Sequence, residues 1–469
     1  MSQNEFDVIF IGSGPGGYVG AIRAAQLGLN TAVIEKDKTF GGTCLNVGCI
    51  PSKALLESSE HFLAAQEELG HHGVNVGSVS LDLSTMLKRK DKIVEELTTG
   101  IDYLFKKNKI TAFQGTGKFK GPHEVEVTDS AGKTQTLVGK NIVIATGSVP
   151  RPLPGLDVDG KHIITSTEAL SLPAVPEHMV VVGAGAIGLE MGSVWGRLGA
   201  KVTVVEYGSK ICGPMDAKLS KRLQQILSKQ GFTFELDAKV SQAKVKGSTV
   251  TVSIERMKKG DTLEVKCDVV LVAAGRAPYT KGLGLENVGL STNDRGVVEV
   301  DRHWRTSQSH IYAIGDVIPG PMLAHKAEEE GVAVAEIIAG KHGHVNYETV
   351  PSVIYTWPEF ASVGKTEEEL KAAGVSFNVG TFPFTANGRA KALGHTEGQV
   401  KILADKTTDR ILGAHIVGPR ASDLLGELVV AMEFAGSSED VALSFHAHPT
   451  LSEVIREAAL AVSGRARQM

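Results

Sequence analysis

The sequence predicts an α/β fold with two βαβ-based domains and a separate C-terminal α+β domain. Two observations lead to this prediction. A pattern of strand, glycine turn and helix occurs twice, at residues 7–35 and 178–206, and it does not recur after about residue 350. A chain of 469 residues is long enough for about three domains, each with its own core.

The composition is that of an ordinary globular protein and excludes several functional classes. The net charge of −4 provides no basic footprint for nucleic acid, and we expect no such partner. No apolar run reaches the roughly 18 residues of a membrane-spanning helix, so we expect no membrane partner either. The 4 cysteines are too few for a secreted disulfide scaffold, and Glu5 and Asp7 lie where a signal peptide would be basic. We therefore expect a cytoplasmic protein, or a processed protein of an organellar matrix.

The repeat is the most informative feature of the chain. Each copy has a β-branched apolar run, the motif G-x-G-x-x-G, a helix-like stretch, and a second apolar run that ends in glutamate. Glu35 follows Gly12, and Glu206 follows Gly183, by the same 23 positions. The motif alone is a weak signal, but a preceding strand, a following helix and an acid about 20 residues on make it credible. Each copy is therefore predicted to be a Rossmann-like unit that binds a dinucleotide.

The three glycines of each motif have separate physical tasks. The first allows the sharp turn out of the strand, the second lets a pyrophosphate approach the backbone, and the third lets the helix pack against the strand. In this order they are Gly12, Gly14 and Gly17 in the first copy, and Gly183, Gly185 and Gly188 in the second. Glu35 and Glu206 can accept hydrogen bonds from ribose hydroxyls. Because a carboxylate at Glu206 repels a 2′-phosphate and no arginine directly follows it, the second copy is predicted to prefer NAD over NADP.

Further apolar runs and turn residues divide the chain. Three runs end in glycine at Gly147, Gly275 and Gly315, and each is predicted to be a buried strand that delivers a turn to a ligand. The proline-rich stretch 150–154 is predicted to cross between domains. A second boundary is expected near residues 340–350. The resulting segments are 1–149, 150–279, 280–349 and 350–469.

A cysteine pair follows the first repeat. Cys44 and Cys49 form a C-x₄-C pair, which is not a usual zinc spacing, and no second pair exists, so no metal is expected. In a regular helix residues five apart are roughly 8–9 Å apart at Cα, whereas a disulfide needs less than about 7 Å. A bridge therefore requires a distorted turn between them. Pro51 suits the first turn of a helix, which would place Cys49 near a helix N-terminus that stabilises a thiolate. Two unpaired thiols in a turn remain the alternative.

The stretch GGTCLNVGCIPSK at residues 41–53 resembles the redox signature of the class I pyridine nucleotide–disulfide oxidoreductases. Its ending, IPSK, is most similar to the dihydrolipoamide dehydrogenases. The resemblance extends over essentially the whole chain, through both glycine motifs to HAHPTLSE at residues 446–453. It implies an FAD domain formed by 1–149 and 280–349, an NAD domain at 150–279, and a C-terminal dimerisation domain at 350–469.

The resemblance also implies the residues that bind each cofactor. Beyond the first motif and Glu35, FAD would be bound by Lys53, Gly117, Ala145, Thr146, Gly147, Asp316, Met322, Leu323, Ala324 and His325. Beyond the second motif and Glu206, NAD would be bound by Glu190, Val240 and Gly275. Lys53 is expected near the flavin N5 edge, paired with Glu190.

Catalytic roles follow from the same resemblance. Cys49 would be the flavin-facing thiolate, Cys44 would exchange with a dithiol substrate, and His448, held by Glu453, would be the acid/base from the other subunit of a homodimer. Independently of the family, attack on a disulfide needs a thiolate and therefore a base near neutral pH, which a histidine beside a carboxylate supplies. His446 is interpreted as structural.

The implied reaction is the oxidation of protein-bound dihydrolipoyl groups through a Cys44–Cys49 disulfide and FAD, with reduction of NAD. Such an enzyme serves 2-oxo-acid dehydrogenase or glycine cleavage complexes, so a lipoyl-bearing protein is the expected partner.

Several alternatives compete with this function. Glutathione or trypanothione reductase would prefer NADPH, which Glu206 opposes. Mercuric reductase or a large thioredoxin reductase would need a C-terminal redox pair, and residues 463–469 contain no cysteine. A docking or scaffold role within the complex is a further alternative. Gly388 departs from the serine that relatives often have, at a position away from the expected chemistry, and Cys212 and Cys267 are expected to be inert.

Overall fold

A computed structural model describes residues 4–468 of the chain. Up to residue 151, the elements are β1 (Glu5–Ile11), α1 (Pro15–Gln26), β2 (Thr31–Glu35), α2 (Gly42–Val47), α3 (Cys49–Leu63), α4 (Leu83–Lys107), β3 (Thr111–Gln114), β4 (Thr116–Gly121), β5 (Glu124–Thr128), β6 (Thr134–Ile144) and β7 (Ser148–Pro150). From 152 to 274 they are β8 (Ile163–Ile164), α5 (Ser166–Ala169), β9 (His178–Val182), α6 (Ala186–Arg197), β10 (Lys201–Val205), α7 (Ala217–Lys229), β11 (Phe232–Glu235), β12 (Ala238–Lys246), β13 (Thr249–Arg256), β14 (Asp261–Cys267) and β15 (Val269–Val272).

The remaining elements follow in chain order. They are β16 (Arg276–Pro278), β17 (Ile311–Ala313), α8 (Ala324–Ile338), β18 (Ser352–Ile354), β19 (Glu359–Gly364), α9 (Glu367–Ala372), β20 (Phe377–Pro383), α10 (Gly388–Leu393), β21 (Gln399–Asp405), β22 (Ile411–Gly418), α11 (Ala421–Glu433), α12 (Ser438–Leu443) and α13 (Glu453–Val462). In the part of the chain that the structure describes, no helix combines the length and apolar character needed to cross a bilayer.

The chain forms two compact units. The first contains residues up to 55, then 82–151 and 275–345, and the second contains 56–81, 152–274 and 346 onward. The finer division into segments 1–149, 150–279, 280–349 and 350–469 stays a prediction.

The first unit is built on a seven-stranded sheet. Strands β3, β2, β1 and β6 lie side by side in parallel, β17 also runs parallel to β6, and β5 and β4 continue the sheet antiparallel. Residues Val8 to Ile11 of β1 are buried, as expected for a parallel strand covered on both faces. Helices α1 and α8 pack closely, and glycine at position 331 is what allows it. A Cβ at Gly331 would lie only 2.4 Å from the Gly16 carbonyl oxygen.

The second unit contains the other copy of the repeat and the C-terminal sheet. Strands β11, β10, β9, β15 and β8 form a parallel sheet in which β9 and β10 pair as β1 and β2 do. Strands β12, β13 and β14 form a separate antiparallel sheet. The five C-terminal strands are antiparallel, in the order β18, β19, β22, β21, β20. Both Rossmann-like sheets and the C-terminal α+β domain are thus confirmed.

Candidate active site

The first glycine motif forms the turn between β1 and α1. Gly12 has φ +105°, and a Cβ there would lie 2.3 Å from the Ala145 carbonyl oxygen, so only glycine is tolerated. A Cβ at Gly17 would lie 2.0 Å from the Gly12 carbonyl oxygen, which is the close packing that the motif predicts. By contrast, a Cβ at Gly14 would meet no atom within 4 Å. The backbone is therefore open in front of the helix N-terminus, where a pyrophosphate is expected.

The acid at the end of each repeat is bound to its own glycine turn. Glu35 accepts the N–H of Ser13 at 3.0 Å and its hydroxyl at 2.6 Å. In the second copy, Glu206 accepts the N–H of Ala184 at 2.7 Å and that of Gly208 at 2.7 Å. Ser13 and Ala184 are the equivalent residues that follow the first glycine. The repeat therefore extends to the hydrogen bonds that orient the two carboxylates.

The second glycine motif has the same shape as the first. Gly183 has φ +108°, and a Cβ there would lie 2.6 Å from the Ala273 carbonyl oxygen. A Cβ at Gly188 would lie 2.1 Å from the Gly183 carbonyl oxygen, while Gly185 again faces open space. Lys210 lies four positions after Glu206, and its amine donates to the Met215 carbonyl oxygen at 2.6 Å.

The other residues proposed for NAD lie in different elements. Val240 is half-buried on β12. Gly275, with φ +107°, directly precedes β16. Glu190 is buried on α6, where its carboxylate accepts the N–H of Tyr355 at 3.1 Å. Its pairing with Lys53 stays a prediction.

The two cysteines lie on either side of a break between helices. α2 ends at Val47, Gly48 takes φ −142° and ψ −112°, and α3 begins at Cys49. This break is the distorted turn that a close approach of the two sulfurs requires. The thiols of Cys44 and Cys49 hydrogen-bond to each other, and this bond, together with burial, raises the pKa of Cys44 above its usual range. The nearby ammonium of Lys53 lowers this pKa.

A carboxyl group lies close to this thiol pair. Glu328, on α8, accepts a hydrogen bond of 3.4 Å from the hydroxyl of Tyr18, on α1. Burial, followed by the charge of Glu328, raises the pKa of Tyr18 to about 12, and the two cysteines add to the effect. Sequence reasoning missed this pair because the two residues are 310 positions apart and neither belongs to a motif.

Asp316 is fixed by a second long-range network. Its carboxylate accepts the hydroxyl of Ser148 at 2.5 Å, and that hydroxyl accepts a hydrogen bond from Nε of Arg276 at 2.7 Å. Arg276 also donates to the Ser148 carbonyl oxygen at 2.6 Å and to the hydroxyl of Thr43 at 3.4 Å. The network connects Asp316 to Thr43, the residue that directly precedes Cys44. The antiparallel pairing of β7 and β16 brings it together, and no local sequence pattern indicates it.

The remaining residues proposed for FAD lie in the same unit. Ala145, Thr146 and Gly147 follow β6, so they lie at the carboxyl edge of the parallel strands, as does Gly12. Met322 and Leu323 directly precede α8, and Ala324 and His325 are its first two residues, so the predicted turn covers only the first half of this stretch. Gly117 lies on β4, where a Cβ would press against the Ile11 side chain at 3.1 Å.

The proposed acid/base pair lies at the start of α13. Nδ1 of His448 is 3.0 Å from Oε1 of Glu453, and Oε2 of Glu453 accepts the N–H of Thr450 at 3.0 Å. Burial alone would raise the pKa of Glu453, but the Thr450 N–H and His448 hold it below the usual value. The carboxylate therefore stays ionised and can orient the imidazole. The His448 side chain is 75% exposed, so it can reach a substrate or a second subunit.

The other histidine and the other cysteines have different surroundings. Nε2 of His446 lies 2.7 Å from Glu427, and Nδ1 lies 3.0 Å from the Ser444 carbonyl oxygen, which agrees with a structural role. Burial raises the pKa of Cys267 to about 12 and that of Cys212 above its usual range, as expected for inert thiols.

Comparison with known proteins shows the family of the chain. The family model of the pyridine nucleotide-disulphide oxidoreductases matches residues 6–331, and that of their dimerisation domain matches residues 350–459. Dihydrolipoyl dehydrogenase 2, mitochondrial, of Arabidopsis thaliana is 55% identical over 98% of this chain and 90% of the relative. Dihydrolipoyl dehydrogenase 3 of Pseudomonas putida is 54% identical over 100% of both chains.

Solved structures give the same result. The crystal structure of LpdA from Mycobacterium tuberculosis superposes with a TM-score of 0.89 at 29% identity, over 96% of this chain and 98% of that chain. The flavoprotein disulfide reductase RclA from Escherichia coli reaches 0.85 at 27% identity, over 98% and 99%. The chain therefore belongs to the pyridine nucleotide-disulphide oxidoreductase family, on its dihydrolipoyl dehydrogenase branch.

Proposed function

We propose that the chain oxidises protein-bound dihydrolipoyl groups to lipoyl groups and passes the electrons through FAD to NAD. One observation carries this proposal: the thiol of Cys44, on α2, is hydrogen-bonded to that of Cys49, at the start of α3, in the unit that also contains the first glycine motif. The relatives named dihydrolipoyl dehydrogenase supply the substrate class.

FAD and NAD fit the residues that the chain offers. The open space at Gly14 and Gly185 leaves room for a pyrophosphate, and the oriented carboxylates of Glu35 and Glu206 can accept ribose hydroxyls. FAD supplies two-electron transfer between a dithiol and a nicotinamide. The chain's own residues bind both groups and carry out the thiol chemistry.

The thiol chemistry begins from an oxidised Cys44–Cys49 disulfide. A dihydrolipoyl thiolate attacks the sulfur of Cys44, a mixed disulfide forms, and Cys49 leaves as a thiolate at the N-terminus of α3. The second substrate sulfur then attacks the first, which closes the lipoyl disulfide and releases Cys44 as a thiol. Two electrons have moved from the substrate to the cysteine pair.

His448 handles the protons of this exchange. Its imidazole accepts a proton from the substrate thiol, because only the thiolate attacks a disulfide. Glu453 stabilises the imidazolium that forms and fixes the ring through Nδ1. Nε2 is then the nitrogen that faces the substrate. We propose that His448 acts on the cysteine pair of the partner subunit.

The carboxylate of Glu206 sets the cofactor preference. In the variant Glu206→Gln, we expect kcat/KM for NAD to fall by roughly tenfold, because an amide oxygen accepts a ribose hydroxyl less strongly than a carboxylate does. The ratio of NADP to NAD turnover should rise, since the repulsion of the 2′-phosphate is removed. Steady-state kinetics with both nucleotides measure this change. An unchanged ratio would contradict the assignment of the second motif.

Because residues 350–459 match the family's dimerisation domain, we propose that the enzyme is a homodimer. Exposed apolar side chains of the C-terminal part fit such an interface, among them Phe445 at 104% and Phe434 at 83% relative exposure. We expect Phe445→Asp to shift the protein toward monomers in sedimentation experiments, because a charge cannot be buried there without a partner. The solvent-side substitution Val245→Asp is the matched control and should leave the dimer intact.

A lipoyl-bearing protein of a 2-oxo-acid dehydrogenase or glycine cleavage complex is the proposed partner, in a bacterial cytoplasm or an organellar matrix. The test uses an isolated lipoylated domain, reduced beforehand, as substrate. Faster oxidation of the lipoyl domain than of free dihydrolipoamide at equal concentration supports recognition of the protein, and equal rates oppose it.

A further inference from the structure

A cluster of buried charged side chains lies in the second unit. Nζ of Lys401, on β21, is 2.5 Å from Oδ2 of Asp216 and 2.5 Å from Oε2 of Glu367. Lys401 is only 1% exposed, and both carboxyl groups are buried. Burial alone would raise the pKa of Asp216, but the hydrogen bond and charge of Lys401 hold it below the usual value. The buried amine thus faces ionised carboxylates.

His415 is not the cation of this cluster. It lies opposite Lys401 in the ladder of β21 and β22, and its Nε2 is 3.0 Å from the Lys365 carbonyl oxygen. Burial lowers the pKa of His415, so the ring is neutral at neutral pH. Lys401 is therefore the buried cation that holds Asp216.

Asp216 is the last residue of a segment that begins at Glu206, the acid proposed to bind the NAD ribose. Residues 206–216, here called the ribose segment, run from Glu206 after β10 to Asp216 before α7. Oδ1 of Asp216 accepts the N–H of Leu219 at 3.1 Å and caps α7, while Oδ2 is bound by Lys401. One side chain therefore caps the helix and anchors the segment to the C-terminal sheet.

The middle of the ribose segment is hydrogen-bonded to the second glycine motif. The N–H of Cys212 donates to the Ala184 carbonyl oxygen at 2.9 Å, and the N–H of Met215 donates to the Cys212 carbonyl oxygen at 2.8 Å. Cys212 has φ +53°, a left-handed conformation that a residue with a side chain adopts only when its surroundings hold it. The ends of the segment are held by Glu206 and Asp216.

We propose that Lys401, acting through Asp216, is a positioning residue for NAD: it holds the ribose segment against the second glycine motif. Lys401 binds Asp216, and Met215, which directly precedes Asp216, is hydrogen-bonded to Cys212. Cys212 in turn is hydrogen-bonded to Ala184, whose N–H donates to Glu206. A buried ion pair is weak evidence for stability, so a role in fixing one local geometry accounts better for it. This inference rests on the assignment of NAD to the second motif.

The experiment compares three variants of the full-length holoenzyme. Asp216→Asn keeps the size of the side chain and the cap on α7 but weakens the bond to Lys401. Lys401→Met removes the cation. Lys371→Met is the matched control, because Lys371 contacts Glu367 at 2.6 Å from the solvent side. Calorimetric titration of the oxidised enzyme with NAD⁺ gives Kd without turnover, and reduction of the flavin by dihydrolipoamide without NAD⁺ tests the other half-reaction.

For Asp216→Asn and Lys401→Met we expect Kd for NAD⁺ to rise by about tenfold, with the rate of flavin reduction by dithiol unchanged. Amide exchange at residues 206–216 should become faster. If Lys401→Met does not fold, the near-isosteric Asp216→Asn carries the test alone. Three results would overturn the role of Lys401. They are an unchanged Kd for NAD⁺ in Asp216→Asn, equal losses in both half-reactions, and the same rise of Kd in the control Lys371→Met. A wild-type protein that binds no NAD⁺ overturns the NAD assignment itself, and the inference with it.

Discussion

Replacing Cys44 with serine should abolish oxidation of dihydrolipoamide, with a loss of more than about a thousandfold, because no disulfide remains for the substrate thiolate to attack. The flavin should stay bound, since the glycine motif and Glu35 are bound to each other independently of Cys44. The variant is therefore expected to be yellow and folded but inactive toward dithiols. Flavin absorbance and NADH formation on one preparation measure both properties.

The control for this result is Cys267→Ser. Sγ of Cys267 is 3.8 Å from the Val250 carbonyl oxygen, and a serine hydroxyl can donate to the same acceptor. Full dithiol turnover should remain in this variant. Full activity in Cys44→Ser would contradict the role of the pair, and loss of flavin would show that the cysteine supports the fold.

Replacing His448 with glutamine should slow dithiol oxidation by roughly a hundredfold to ten-thousandfold, the range of general acid–base catalysis. The oxidation of NADH by ferricyanide needs no proton transfer at a dithiol, so it should be nearly unchanged. Because Glu453 orients the ring through Nδ1, Glu453→Gln should give a smaller loss of the same kind. Comparing the two reactions in each variant separates a catalytic effect from a loss of stability.

His446→Gln provides the comparison. Nε2 of His446 is bound to Glu427, so its replacement should lower the melting temperature rather than change the ratio of dithiol turnover to ferricyanide turnover. A fall in this ratio as large as that of His448→Gln would contradict the assignment of His448 as the acid/base.

Much of the fold could be predicted because the informative signals are local. The G-x-G-x-x-G motifs and the Cys44 to Cys49 stretch are each contained within six residues of sequence. Their geometry follows from backbone sterics, as the φ of +105° at Gly12 illustrates. The pairing of His448 with Glu453 was predicted from the resemblance of residues 446–453 to the family, and the two side chains are 3.0 Å apart.

The remaining contacts could not be predicted because they join distant parts of the chain. Tyr18 meets Glu328 across the packing of α1 on α8, and Lys401 meets Asp216 at a separation of 185 positions. No periodicity or motif encodes such contacts. The grouping of residues 56–81 with the second unit also depends on tertiary packing that no local pattern signals.

The most direct test of the proposed function is anaerobic mixing of the purified holoenzyme with dihydrolipoamide and NAD⁺, with NADH absorbance as the readout and NADP⁺ in a parallel reaction. We predict rapid formation of NADH and little NADPH, because Glu206 repels a 2′-phosphate while the cysteine pair accepts electrons from the dithiol. No turnover with flavin still bound would contradict the dihydrolipoyl assignment and return the substrate to the other disulfide reductases of the family. NADPH formed as fast as NADH would contradict the role of Glu206.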